Sequence, residues 1–330
     1  MVHSLGATRL FHPSNSRFVV SRLWFAVENE VRGIQLDETD GRLILRFKSH
    51  GWPTLFAVKS ILIVFSDSMI TLRDGSTANV LSSSKVPEDT TVVSDGVGLL
   101  MDCEVPREIL PHLPAKRTSF GGVPQLATPQ WLVERRPKFF DSESIAMVRR
   151  SNGRVGFETP VLTDISQISI VGGRLLIGHG AVLQEWTDDR KASVSVSLEN
   201  RISRSAGRGL SWCEKALAFE GGRVELWRRE EVESEELPVD TGWRPWRPLP
   251  RTTYIVLIPN GGSPIFVTEQ APVADVVVLG DRVVVLDAQL LANSNAMSAS
   301  NVRVLDSDLT EVKSISIRPS PLRSLATTTD

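Results

Sequence analysis

Residues 61–75, Ile-Leu-Ile-Val-Phe-Ser-Asp-Ser-Met-Ile-Thr-Leu-Arg-Asp-Gly, set the pattern by which the rest of the chain is read. The first part, Ile61 to Phe65, is a short unbroken apolar run rich in β-branched residues. Such a run suits a strand buried on both faces. The second part, Ile70 to Gly75, alternates apolar and polar side chains and ends in an Asp-Gly turn. Alternation puts one face inward and one outward. Asp closes the turn because its carboxylate bonds nearby backbone amides, and Gly tolerates positive φ.

The same couplet recurs. Apolar runs begin at Leu23, Ile61, Val97, Ile145, Leu175, Ala216, Tyr254 and Val283, separated by 29 to 48 residues. More polar, alternating segments follow them: 33–45, 70–75, 182–188, 224–227 and 302–312. Pairs of glycines at 121, 172, 221 and 261 read as turns. No stretch of a dozen residues carries the i, i+3, i+4 spacing of an amphipathic helix. The expectation is an almost all-β chain of repeated meanders.

A repeat averaging about 37 residues is the size of one four-stranded blade. The pattern resembles the β-propeller family in the broad sense, including the WD-repeat type, over about residues 20 to 316. Val302-Arg-Val-Leu-Asp-Ser-Asp-Leu309 and Val224-Glu-Leu-Trp227 look like the third strand of such a blade. The Gly-His and Trp-Asp signature pairs are absent in register, and Gly178-His179 occurs once. The resemblance implies a ring, because a lone meander cannot cover both its faces and radial packing does so. The expected fold is all-β, a β-propeller of about seven four-stranded blades. Merging one run across the short Ile145-to-Leu175 interval gives seven, with an inner strand as the apolar run of each blade. Six or eight blades, or two β-domains split near 105–141, are the alternatives.

On this reading residues 1–20, ending in Arg17-Phe-Val-Val20, supply a strand that closes the ring. Residues 21–320 form the propeller and 321–330 are a disordered tail. Two segments break the rhythm and read as irregular insertions. Segment 105–141 holds Pro106, Pro111, Pro114, Pro124, Pro129 and Pro137. Segment 228–251 begins with an acidic run, Glu230, Glu231, Glu233, Glu235, Glu236 and Asp240. It continues into Gly242-Trp-Arg-Pro-Trp-Arg-Pro-Leu-Pro-Arg251.

Trp and Arg are the residues most enriched at interface hot spots, and proline favours an extended path. Trp243, Arg244, Trp246, Arg247 and Arg251 are therefore candidate partner-binding residues. In 105–140, Arg107, Lys116, Arg117, Arg135, Arg136 and Lys138 face only Glu108 and Glu134. Cations interleaved with rings suit single-stranded nucleic acid. Trp131, Arg135, Arg136 and Lys138 are thus candidates for a nucleic-acid contact or a second partner.

The net charge of −2 excludes a broadly basic body. The five histidines are scattered, with no zinc-like spacing, and neither a Gly-x-Ser-x-Gly elbow nor a phosphate loop is present. No catalytic residue, metal ligand or cofactor is assigned. His179, and Asp95, Asp102, Asp281 and Asp287, are the residues that a metal-bearing channel would use. Cys103 and Cys213 are too few for a disulfide framework. No run suits a secretory signal or a membrane span, so a cytoplasmic protein is expected. The leading expectation is a non-enzymatic scaffold or adaptor subunit that binds proteins. The alternatives are a propeller hydrolase or lyase with a metal in its channel, and a nucleic-acid-associated subunit using 105–140.

Overall fold

A computed structural model describes residues 21–27, 30–36, 43–49, 51, 53–137, 143–161, 165–186, 193–202, 209–231, 251–269, 273–290, 297–321 and 324–329. Their strands fall into seven sheets. In sheet order, blade 1 is Ser324–Thr329, Ser21–Val27, Glu30–Gln35 and Leu43–Lys48. Blade 2 is Thr54–Val58, Ile61–Ser66, Met69–Asp74 and Val80–Lys85. Blade 3 is Val92–Ser94, Leu99–Met101 and Ala115–Arg117. Blade 4 is Val123–Ala127, Trp131–Pro137, Glu143–Arg149 and Val155–Val161. Blade 5 is Ile165–Val171, Arg174–His179, Val182–Trp186 and Ser193–Ser197. Blade 6 is Gly209–Phe219, Gly222–Glu231, Arg251–Pro259 and Ile265–Glu269. Blade 7 is Val273–Leu279, Arg282–Leu290, Met297–Leu305 and Glu311–Pro321. The chain is a seven-bladed, all-β propeller. Six blades are four-stranded antiparallel meanders. Blade 3 has three strands, and its last pair is parallel.

The apolar runs are continuous because a blade's second strand serves two cores at once. Leu23 and Phe25 pack against Val284 and Leu286 of blade 7, whereas Trp24 and Ala26 pack against Leu62 and Val64 of blade 2. Ile63 faces blade 3, where Leu99 and Met101 meet it, and Leu100 points the other way, to Leu132 and Val148 of blade 4. Seven buried clusters among the described residues fill the seven joints around the ring. Trp24 and Trp227 are fully buried in second strands, and truncating either to alanine costs about 3–5 kcal/mol.

This corrects the expectation that the apolar run is the inner strand. First strands contact first strands of neighbouring blades and so ring the axis. Ile165–Val171, one of these, is half-buried along nearly its whole length. The second strand, paired on both edges and covered on both faces, is the dry one. The extra run also lies elsewhere than expected. Ile145–Val148 is in the third strand of blade 4, and blade 6 contributes two runs, in its first and third strands. Val224–Trp227 belongs to a second strand, not a third, while Val302–Leu305 does lie in a third.

Closure comes from the C-terminal side. Ser324–Thr329 pairs with Ser21–Val27, Thr329 opposite Ser21 and Ser324 opposite Ala26. Part of the segment 321–330, expected to be disordered, is this first strand of blade 1. Residues 1–20, expected to close the ring, lie outside the described residues. Segment 105–141 is not one insertion either: it contains the last strand of blade 3 and the first two of blade 4, with 138–142 outside the described residues.

The expected glycine turns form at 172, 221 and 261, whereas Gly121-Gly122 is a bend in the link between blades 3 and 4. Gly172 and Gly173, both at positive φ, make the two-residue hairpin of blade 5. The Asp74 carboxylate accepts the amides of Ser76 and Thr77 at 2.9 and 2.7 Å, and Asp306 those of Asp308 and Thr310 at 2.9 Å each. No helix of the described residues is long and apolar enough to cross a membrane.

Candidate functional site

Strand direction gives the ring two unlike faces. Within a blade each strand reverses, so first-to-second and third-to-fourth turns share one face. The first-to-second turns are hairpins such as 59–60, 172–173, 220–221 and 280–281, and the third-to-fourth connections run from five residues, as at 75–79, to seven at 36–42. Second-to-third connections and the links between blades share the other. A link as short as 162–164 spans at most about 14 Å. It cannot cross the roughly 20 Å length of a strand, so each blade starts on the face where the last one ended. The strand ends joined by two long connections, 198–208 between blades 5 and 6 and 232–250 within blade 6, lie on this second face. Gly209 pairs with Glu231 and Glu230 with Arg251, so both anchors of 232–250 open on it.

Trp243, Arg244, Trp246 and Arg247 lie outside the described residues, as does the acidic run after Glu231. Arg251 begins the third strand of blade 6. In blade 4, Trp131 is 8% exposed and forms part of the core against blade 5. The Arg149 guanidinium stands 5.1 Å over its ring. Gly156 lies so near that a Cβ there would sit 2.6 Å from Cζ3. That ring is committed to packing.

The neighbouring cations are paired. Arg135 donates from Nε to Glu143 at 2.5 Å. Arg136 donates from Nε and Nη2 to Glu134 at 2.9 and 2.6 Å. Glu134 is buried and also accepts the Gly121 amide at 2.8 Å. Lys138 lies outside the described residues.

The carboxylates and the histidine do not converge. Asp95 accepts the Val97 and Gly98 amides at 2.8 and 2.6 Å and pairs with Arg150 of blade 4. Burial pushes its carboxyl up, but these bonds and the Arg150 charge outweigh that and hold it below the usual range. Asp102, at the end of the second strand of blade 3, accepts the Thr91 amide at 2.9 Å. Asp281 sits in an exposed turn of blade 7, 3.5 Å from Arg282. Asp287 is held by Arg303 at 2.8–3.0 Å. His179 ends the second strand of blade 5, opposite Ile165 and Val182. Among the described residues no three His, Cys, Asp or Glu side chains are grouped to hold a metal. Both cysteines are free thiols.

A cleft of about 330 Å³ opens on the second face where blades 3 and 4 meet. The joint beneath it is thin: its core is Leu100, Leu132 and Val148 with Phe120 and Ala127 against them. Asp102, Arg117, Thr118, Ser119, Phe120 and Val123 line the cleft. Val123 is 62% exposed. Sequence reading counted Arg117 within a basic stretch but did not set it beside a cleft, because the cleft is made by the link 118–122 crossing between blades.

A second group escaped the sequence reading altogether. Between blades 5 and 6 lie Glu185, Glu225, Arg223 and, from the short helix Leu198–Ile202, Arg201. Glu225 is fully buried. It accepts Arg201 at 2.9 Å on each oxygen, Arg223 Nε at 2.8 Å and Trp227 Nε1 at 2.8 Å. Glu185 accepts Arg201 Nη2 at 3.0 Å and pairs with Arg223. Burial raises the Glu185 carboxyl, but the two guanidiniums more than offset it, and the group sits below the usual carboxylate range. The signal was present in Arg223-Val-Glu-Leu-Trp227, where three polar-tipped side chains share one face of a strand.

No family model and no curated protein matches the chain. Three solved structures are similar in layout. Apo AztD from Citrobacter koseri is 11% identical, with 94% of this chain and 98% of that one covered and a TM-score of 0.44. BamB from Moraxella catarrhalis is 9% identical, with 90% and 88% covered and a TM-score of 0.40. The C-terminal WD40 domain of Sif2 is 12% identical, with 93% and 82% covered and a TM-score of 0.47. The propeller assignment rests on the seven sheets themselves, and none of these likenesses bears on activity.

Proposed function

We propose that this propeller is a protein-interaction scaffold, the adaptor subunit of a larger complex. Its partner engages the face that carries the long connections. The observation behind this reading is where the longest connection within a blade is anchored: 232–250 of blade 6 leaves and re-enters the ring on the face opposite the hairpins 59–60, 172–173, 220–221 and 280–281. That connection carries Trp243, Arg244, Trp246 and Arg247, residue types that dominate interface hot spots. The paired state of Asp95, Asp102 and Asp287 with their own neighbours supports binding over a carboxylate-driven reaction. The burial of Trp131 takes away the open ring on which a single-stranded base would stack at that candidate site, which favours protein over single-stranded nucleic acid there.

Affinity capture of the tagged protein, with and without nuclease, combined with cross-linking mass spectrometry, tests this. A stoichiometric protein partner that survives nuclease, cross-links to the long-connection face and is lost on Trp243→Ala/Trp246→Ala is expected. Cross-links confined to the hairpin face, or a partner removed by nuclease, would sink the reading.

A further inference from the structure

Blade 3 offers a second site, independent of the 228–251 segment. Where the other blades have a third and a fourth strand, blade 3 has Ala115–Arg117 alone, paired parallel to Leu99–Met101. After Met101 the chain does not turn back as a strand. It runs through Pro106–Leu113, whose turns are held by the Ile109 amide on Pro106 O at 3.1 Å and the Leu113 amide on Ile109 O at 3.0 Å. Ile109 and Leu113 are buried in the core shared with blade 2, and Ser84 of blade 2 donates to Glu108 at 3.2 Å. The segment therefore descends on the blade 2 side. Among the described residues no strand pairs with the outer edge of Ala115–Arg117.

That edge is cationic. Lys116 and Arg117 are exposed, and neither makes a hydrogen bond or ion pair with a described residue. Arg117 also lines the 330 Å³ cleft, with the Asp102 carboxylate and the hydroxyls of Thr118 and Ser119. An open strand edge gives affinity through main-chain hydrogen bonds, and its flanking side chains set the charge of what it accepts.

We propose that blade 3 binds an extended acidic segment of a partner protein as an added strand. The added strand pairs with Ala115–Arg117. Its carboxylates, on both faces of the added strand, meet Lys116 on one face and Arg117 on the other. The missing strand supplies the slot, and the two unpaired cations select the occupant.

The test uses the full chain and a fluorescein-labelled peptide with Glu at consecutive positions, which puts carboxylates on both faces of the added strand as Lys116 and Arg117 require, read by fluorescence anisotropy. Saturable binding is expected, with amide hydrogen exchange at 115–118 slowed by the peptide. Lys116→Glu/Arg117→Glu weakens binding at least tenfold, and Trp243→Ala/Trp246→Ala leaves it unchanged, so failure here is separable from failure of the scaffold reading. N-methylation of alternate peptide amides, which keeps every charge, also weakens it at least tenfold. Equal binding by the N-methylated peptide overturns strand addition, since charge alone then suffices. Equal binding of the same peptide with Lys in place of Glu overturns the acidic assignment. Binding seen only after residues 1–20 or 232–240 are deleted makes the occupant a segment of this chain and overturns the assignment to a partner. No binding in any form overturns the site.

Discussion

Replacing Glu225 by alanine removes the acceptor from four buried donors at once: Nε and Nη2 of Arg201, Nε of Arg223 and Nε1 of Trp227, all at 2.8–2.9 Å. Arg201 and Arg223 are left with Glu185 as their shared counter-charge. Removing one partner of a buried ion pair typically costs about 3–5 kcal/mol, mostly as the penalty of an orphaned charge. The four losses do not add, because they belong to one network. With a guanidinium slope of about 5 kcal/mol per molar, the unfolding midpoint falls by about 0.6–1 M. Trp fluorescence and far-ultraviolet circular dichroism follow the transition. A companion variant separates the orphan penalty from the worth of the network: replacing Glu185, Arg201, Arg223 and Glu225 together by Leu or Met loses less than Glu225→Ala alone. A midpoint moved by less than about 0.2 M in Glu225→Ala, roughly 1 kcal/mol, would refute the dry, interlocked joint described between blades 5 and 6. The pH response carries the same sign test. Glu185 is depressed in the folded chain, so its share of the stability is present above the ordinary glutamate range. It is lost as pH falls through the lower folded value.

Truncation after Pro321 removes the first strand of blade 1 and is expected to lower the thermal midpoint and expose the Ser21–Val27 edge, read by calorimetry and hydrogen exchange. Unchanged protection of 21–27 would contradict the closure. Cys213 is fully buried, and burial with the nearby Glu225 charge pushes its thiol up, so a thiol reagent titrates Cys103 alone in the native protein and both after denaturation. Asp74 is pulled from 3.8 down to about 2, chiefly by the Ser76 hydroxyl at 2.6 Å and, against some burial, by Thr77 and the turn amides. Wild type therefore exceeds Asp74→Ala in stability by a constant amount above pH 4, and the difference shrinks toward pH 2. A pH-independent difference would mean the carboxylate does not hold the turn.

The class and repeat length were legible because a second strand with a core on each side has no polar position to spare. The ring's order was less so. Blade 6 hides its second strand from any apolar scan, since Arg223, Glu225, Arg228 and Arg229 are buried there beside Val224, Leu226 and Trp227. The scan therefore flags the strands on either side of it and counts one run too many. Segment 105–141 read as an insertion because its prolines mask strands as short as Ala115–Arg117. The tail Ser324–Thr329 read as disordered on polarity, although three consecutive threonines are strand-formers. In the candidate sites, a sum of charges could not say which cations were free. Arg135 and Arg136 are neutralised by Glu143 and Glu134, while Lys116 and Arg117, in the same stretch, pair with no described residue.

Because Ser324–Thr329 completes the sheet that Ser21–Val27 begins, the nascent chain emerges from the ribosome with its first blade one strand short. It stays so until all the other strands have been made. An apolar strand with an open edge is a template for wrong pairing during that interval. Joining the two ends of the ring also requires its contact of greatest sequence separation, and contacts of that kind slow folding. A circularly permuted gene that starts at Thr54 would translate Ser324–Thr329 and Ser21–Val27 in succession, and it should fold with less aggregation at equal final stability.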